Sequence, residues 1–278
     1  MDIDENTNRL IGQHGWILAC LISLTSGSRR RIVSVMAFNH HDLPTASLAR
    51  MAQSDPWVMY LIVRRSHQLS EAELLDASAR ACLDILDAPV LQTEPWRSRY
   101  EAWRALSFRK VVLRARESEW ASLLSDEHHC AVPAVGEAAL MALPPILRSG
   151  RSPLLGKLRV YDPDRSTLAG HQGAEAPAHP DAVQLWINDA AGMSVGKTMA
   201  QVGHAALMVE TLEWERTDAS ARLVAWAEAG YPLGIATADA DRWRSLHDGD
   251  VGFVRDAGLT EVSAGTETVA ISLGGSDS

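Results

Sequence analysis

The chain reads one pattern twice. Residues 59–83 (MYLIVRRSHQLSEAELLDASARACL) and 183–207 (VQLWINDAAGMSVGKTMAQVGHAAL) each open with a short apolar strand. Each then passes through a polar turn ending in Ser70 or Ser194 and continues as a helix with apolar residues at helical spacing. The register is gapless, with Leu61 opposite Leu185, Leu69 opposite Met193 and Ala81 opposite Ala205. Farther on, Trp103 and Trp226, and likewise Trp120 and Trp243, stand 123 residues apart. Two tryptophan pairs at one offset mark an internal duplication. Each copy has the order strand, helix, helix, strand, short helix, strand. In the second copy these fall at 182–188, 194–214, 219–229, 233–236, 239–247 and 251–254, and a strand at 268–273 closes it. The alternation predicts an α/β fold: two tandem copies of a three-layer α/β/α domain with a small mixed, mostly parallel sheet. Ligands on such sheets sit at the carboxyl ends of strands, beside helix N-termini.

Two stretches lack the pattern. Residues 1–54 read as a poorly ordered extension, with Met36 and Met51 as alternative starts of translation. Residues 166–180 (STLAGHQGAEAPAHP), rich in Gly, Ala, Pro and His, read as a linker. Residues 55–165 and 181–278 are then the two copies. With 46% hydrophobic and 22% charged residues, a chain of 278 is neither disordered nor collagen-like and can bury a core without staples. Cys20, Cys82 and Cys130 form no C-x-x-C pair, which argues against a disulfide scaffold or a zinc ribbon and for a reducing compartment. The longest apolar run, 16–24, is half the length of a membrane-spanning helix and follows Asp2, Asp4 and Glu5 rather than basic residues. The expectation is a cytoplasmic protein away from membranes.

A net charge of −9 speaks against a nucleic-acid partner until its distribution is considered. Residues 181–278 hold 6 Lys and Arg against 15 Asp and Glu, while residues 1–180 balance.

Candidate chemistry concentrates in the second copy. The segment 191–198 (AGMSVGKT) is one substitution from a phosphate loop, but Ala191 stands where glycine must allow the sharp turn, so the backbone nest is compromised. Another pattern fits better. Ser194 caps the helix and leaves Lys197 in its first turn, with Gln201 and His204 at i+4 and i+7 on the same face. The bland alternative is a solvated polar stripe. A second segment, 254–260 (VRDAGLT), carries a buried-looking strand into a charged turn, where this fold class places its sites.

Together, MSVGKTMAQVGHA (193–205) and VRDAGLTEVSAGTETV (254–269) resemble the type 2 peptidyl-tRNA hydrolase family, the archaeal and eukaryotic form of the enzyme. The resemblance covers nearly all of residues 181–278. It departs from the family pattern at Val195, where many members are basic, and at Ala264, where Pro commonly precedes the Gly. It implies hydrolysis of the ester between a nascent peptide and the terminal ribose of tRNA, with no metal and no organic cofactor. Lys197, Gln201, Asp256 and Thr260 occupy positions implicated in activity, with His204 as a further candidate. Asp256 would orient or deprotonate the water, while Lys197 would hold that carboxylate charged and meet the oxyanion. Gln201 and Thr260 would complete the hydrogen bonds, and the adjacent Arg255 is a candidate tRNA contact. The rival reading is a non-catalytic RNA- or protein-binding module on the same fold; a nucleotide-binding protein comes third.

The first copy lacks the reacting groups. Glu73, Ala77 and Arg80 align with Lys197, Gln201 and His204. Aligning Val132 with Val254 sets Ala134 opposite Asp256 and Ala138 opposite Thr260. Its basic stretch, with Arg97, Arg99 and Arg104 as phosphate contacts and Trp96, Tyr100 or Trp103 for stacking, is expected to supply the tRNA surface that the acidic copy lacks. Members of the family are commonly homodimers, so the resemblance implies that the two copies pack as a pseudo-dimer within one chain, with a homodimer as the alternative. His128, His129 and Cys130 are consecutive and cannot all reach one metal ion. No Gly-x-Ser-x-Gly elbow is present. Trp57, Trp120, Trp186 and Trp243 read as packing residues.

Overall fold

Strand β1, Trp57–Arg64, buries six consecutive residues, Val58 to Val63. A run without alternation is what a central strand covered on both faces requires. Helix α1, Glu71–Asp87, starts at Ser70 with a capping box: the Ser70 hydroxyl accepts from Glu73 N, and the Glu73 carboxylate accepts from Ser70 N. Then follow α2 (Trp96–Arg104), β2 (Lys110–Ala115), α3 (Glu117–Leu124), β3 (Val132–Pro133), β4 (Leu140–Leu147), α4 (Pro153–Lys157) and β5 (Arg159–Val160). The remaining elements are β6 (Val183–Asn188), α5 (Val195–Met208), α6 (Ala219–Glu228), β7 (Leu233–Ala238), α7 (Ala240–Leu246), β8 (Val251–Arg255) and β9 (Glu267–Leu273). This computed structural model describes residues 54, 56–67, 69–106, 108–134, 139–164, 179–212, 214 and 217–273. The extension and most of the linker expected from sequence lie outside the described residues. All the described residues belong to one unit, Asn39–Ser278.

The strands form two sheets, ordered β3-β4-β1-β2-β5 and β7-β6-β9-β8. Read from opposite ends, β3-β4-β1-β2 and β8-β9-β6-β7 have the same topology. In each, one parallel pair (β1 with β2, β6 with β7) is followed outward by two antiparallel pairings. The expectation of mostly parallel sheets is therefore corrected: both are mixed, with a single parallel pair. The reason is connection length. A parallel pair needs a crossover of a dozen or more residues, which α1 with α2 and α5 with α6 provide, whereas the 6 residues between β3 and β4 and the 11 between β8 and β9 are too few, so the chain reverses direction.

The registers also correct one alignment. Leu61 pairs with Ala142, which pairs with Val132; Leu185 pairs with Ile271, which pairs with Gly252. Val132 thus corresponds to Gly252 and Ala134 to Val254, two residues away from the expected match with Asp256. The loop before β3 is three residues longer than its counterpart, and within it His129 is fully buried, with Nε2 2.7 Å from Ser152 Oγ. The position opposite Asp256, and Ala138, lie outside the described residues. In β4 the ladder to β1 shifts register where Pro144 and Pro145 can donate no hydrogen bond.

Helices α1 and α5 pack on each other between the sheets. Helix α1 touches β3, β4 and β7, and α5 touches β2, β6, β8 and β9. Small residues allow the close approach: a Cβ on Gly203 would lie 2.7 Å from Cys82 Sγ, and Ser78 Oγ donates to the Met199 carbonyl at 3.0 Å. The opposite face of the second sheet carries a smaller cluster in which Trp186, Trp243 and Phe253 pack around Leu246 and Ala270. Helix α5 ends at Met208, short of the expected 214. The chain tightens into a 3₁₀ turn, Val209–Thr211, and the Trp214 indole donates back to the Val209 carbonyl, satisfying one of the helix-end acceptors. Among the described residues, no helix is long and apolar enough to cross a membrane.

Candidate active site

The start of α5 positions the amine. Ser194 caps the helix by accepting from Lys197 N at 3.2 Å, so Lys197 is the third residue of the first turn. In α1 the same position holds Glu73, whose carboxylate completes the capping box. Lys197 cannot do this, and a residue from far along the chain replaces it. Glu261 accepts from Ser194 N at 2.8 Å and from Ser194 Oγ at 2.7 Å. The cap therefore also ties the segment after β8 to the helix start.

That segment brings Asp256 onto the helix face. Its backbone is pinned on both sides, Asp256 N donating to Thr266 O at 2.9 Å and Gly265 N to Asp256 O at 2.7 Å. The side chain is 6% exposed, and its Oδ2 accepts from both Lys197 Nζ and Gln201 Nε2, the latter at 2.7 Å. Its Oδ1 accepts from Gly258 N at 2.8 Å. Gly258 has φ +74°, and a Cβ there would sit 2.5 Å from Ala264 N, so the turn that delivers this donor requires glycine. Lys197 Nζ also donates to Thr260 Oγ1 at 3.1 Å.

Behind this group stands Thr268, fully buried, its hydroxyl 2.9 Å from Gln201 Oε1 and 3.2 Å from the Val254 carbonyl. Occupying the oxygen end of the amide leaves its nitrogen end to Asp256, which fixes the orientation of Gln201. Thr268 and Glu261 fall within the motif 254–269, but their types and spacing alone assign neither a role. A hydroxyl inside the buried strand 267–273 was the signal for Thr268.

The four principal residues read from sequence, Lys197, Gln201, Asp256 and Thr260, are thus brought together. His204 lines the same cleft and stacks on Phe108 with ring centroids 5.0 Å apart. Arg255 lies at the rim, exposed, and pairs with Glu267 at 3.1 Å. The phosphate-loop alternative loses its hydroxyl, since Thr198 is buried and donates to Ser194 O at 2.9 Å.

Arg97, Arg99 and Arg104 do not line this cleft. Arg97 pairs with Glu101 at 3.3 Å, Arg99 lies over the Trp96 ring at 4.6 Å, and Arg104 is half-buried. Trp96, Tyr100 and Trp103 are buried and present no open face for a base, which corrects the stacking expectation. From the same basic stretch, Arg109 and Lys110 enter the cleft instead.

The cleft encloses about 350 Å³. One wall is the polar group on α5 and the segment after β8. The other comes from the first half: Phe108, Arg109, Lys110, Val111 and Val112, with Val160, Tyr161 and Asp162. The two walls meet where Tyr161 O crosses the helix start, 2.2 Å from where a Cβ on Gly196 would lie. Only glycine admits that crossing.

The corresponding positions of α1 hold no such group. Glu73 is spent on its cap, Ala77 is buried, and Arg80 donates to the Gly230 and Tyr231 carbonyls at 3.0 Å each. Compared with protein-family models, with curated proteins and with solved structures, the chain shows no match.

Proposed function

We propose that this protein hydrolyses the ester of peptidyl-tRNA, releasing free tRNA and peptide in the cytoplasm, with the chemistry carried by the second of two tandem copies of a three-layer α/β/α domain. The observation that carries the reading is the meeting of Lys197, Gln201 and Thr260 around Asp256 in one cleft, from two segments 59 residues apart at Lys197 and Asp256. These are the positions that the resemblance to type 2 peptidyl-tRNA hydrolases singles out.

Hydrogen-bond capacity suggests the roles. A carboxylate offers about four acceptor positions, and Asp256 has three filled, two on Oδ2 and one on Oδ1. The remaining lone pair on Oδ1 receives a proton of the attacking water. Lys197 has three donors, two of them engaged by Asp256 and Thr260, and the third meets the oxyanion that forms on the ester carbonyl. Thr260, accepting from Lys197, keeps its own O–H to donate. Water adds to the carbonyl carbon and the C–O bond to the ribose breaks. The proton taken by Asp256 returns to the departing ribose oxygen. The group closes this cycle with side chains alone.

In this reading the first copy is non-catalytic and packs against the second as an intramolecular pseudo-dimer, and Arg255, Arg97, Arg99 and Arg104 lie along the path of the tRNA. Lys197→Ala and Asp256→Ala are each expected to lower single-turnover hydrolysis of blocked aminoacyl-tRNA at least a hundredfold, about 2.7 kcal/mol in barrier. Unchanged rates in both variants reject the site and favour a non-catalytic binding module.

A further inference from the structure

The wall facing the reacting group carries a cation with no anion of its own. Lys110 opens β2 and lines the cleft with its side chain half-buried. Its Nζ donates to the Phe108 carbonyl at 3.1 Å and lies over the Trp103 and Phe108 rings at 4.9 and 5.4 Å. Among the described residues, no carboxylate pairs with it. One carbonyl and two ring faces offset only part of the cost of taking an ammonium out of water. Burial accordingly pushes its pKa down to about 8, with only the Cys82 thiol acting in the other direction.

Of the other three cations of the lining, Lys197 is compensated by Asp256 and Arg255 by Glu267, and Arg109 adjoins Lys110 on the same wall. The cleft therefore combines a charge-paired wall, on a half carrying −9, with a half-buried ammonium that no carboxylate among the described residues pairs, on a half with no net charge.

Resting on the peptidyl-tRNA hydrolase reading, we propose that Lys110, in the half without reacting groups, is the anion-binding residue of the cleft and takes a phosphodiester oxygen of the substrate's single-stranded 3′ end. The geometry favours phosphate over the other anion of this reaction, the carboxylate of the released peptide. That carboxylate forms at the ester carbon, against Lys197 and Asp256. A phosphodiester lies across the ribose from the ester and so reaches the facing wall. An enclosed volume of about 350 Å³ suits one nucleotide with its phosphate rather than a duplex. Charge-assisted contacts to phosphate are also the ones that a strongly acidic half must obtain from elsewhere.

The test compares two substrates on the full chain: a blocked aminoacyl-tRNA, and the same acyl group esterified to adenosine, which keeps the ester and lacks the phosphodiester. In Lys110→Met the ratio of kcat/KM for the tRNA ester over the adenosine ester is expected to fall about tenfold, the share of one charge-assisted contact. Lys110→Arg should retain most of the ratio. Binding of a short single-stranded RNA ending in CCA should lose about 0.7 from its log–log salt slope in Lys110→Met, the value for one phosphate. An unchanged ratio overturns the proposal, including the case where both substrates slow together because the fold has suffered. If the wild-type chain cleaves neither ester, the hydrolase reading fails by itself, and the RNA salt slope still decides whether Lys110 contacts phosphate: a slope equal to wild type overturns it.

Discussion

At the scale of single residues, the site depends on a substitution of roles at one helix start. In α1 the third residue, Glu73, caps its own helix. In α5 that position holds Lys197, so the capping carboxylate comes from Glu261, five residues beyond Asp256. One side chain thereby stabilises the helix and sets the distance between Lys197 and the 256–260 turn. Glu261→Ala should cost about 1 kcal/mol of stability, the usual worth of an N-cap. It should also lower kcat about tenfold with little change in KM, because the turn is no longer tied to the helix. Glu261→Gln, which keeps one acceptor for Ser194, should fall between the two. Steady-state kinetics with a denaturant titration separates the two effects, and a loss of stability with kcat intact would reduce Glu261 to a cap.

At the scale of elements, what holds the halves together is the contact of α1 with α5. Its closeness depends on Gly203 opposite Cys82, where an added Cβ would lie 2.7 Å from the sulfur. Gly203→Ala should therefore destabilise the chain by about 1–3 kcal/mol, the range for overpacking. Combining it with Cys82→Ala should recover most of that loss, since the nearest remaining atoms lie at ordinary contact distance, Ser78 O at 3.5 Å and Cys82 Cβ at 3.8 Å. Purely additive losses in thermal unfolding would place the strain elsewhere. This contact also shows what the sequence could reveal. The shared topology of the two halves was legible because buried tryptophans hold their spacing: Trp103 Nε1 donates to Arg109 O and Trp226 Nε1 to Pro232 O, so the bond recurs at the same 123-residue offset. The polar stripe of α5 was legible because helical periodicity fixes which side chains share a face. The direction of β4 and β9 was not, because apolar strands read alike in either sense. The shifted match of Ala134 followed from a longer loop whose excess residues carry no apolar pattern. Lys110 reads in the sequence only as one of a basic stretch, because the wall it occupies exists only once the two halves are packed.

At the scale of the whole molecule, the halves meet reciprocally. Arg80 of α1 reaches Gly230 and Tyr231 in the second half, while His204, its counterpart in α5, stacks on Phe108 in the first. Phe108 and Tyr231 are themselves counterparts, each in left-handed backbone at φ 49° and 60°. Residue i meeting j′ while j meets i′ is the pattern of a two-fold interface, and these contacts support the proposed intramolecular pairing. The symmetry breaks beside Lys197. Arg80 occupies the carbonyls at the first copy's equivalent of the cleft, whereas the smaller His204 leaves the second open beside Lys197. A chain whose self-complementary helix face is already covered has no call for a second copy. The 278-residue chain should therefore sediment as a monomer of 30.2 kDa. A fragment comprising residues 179–278 uncovers the α5 face around Gly203, and should self-associate or lose much of its stability. An intact chain that sediments as a dimer would contradict the intramolecular pairing. A fragment that stays monomeric and as stable as the whole would show that the second half never needed the first to fold, leaving the cleft wall as the first half's contribution.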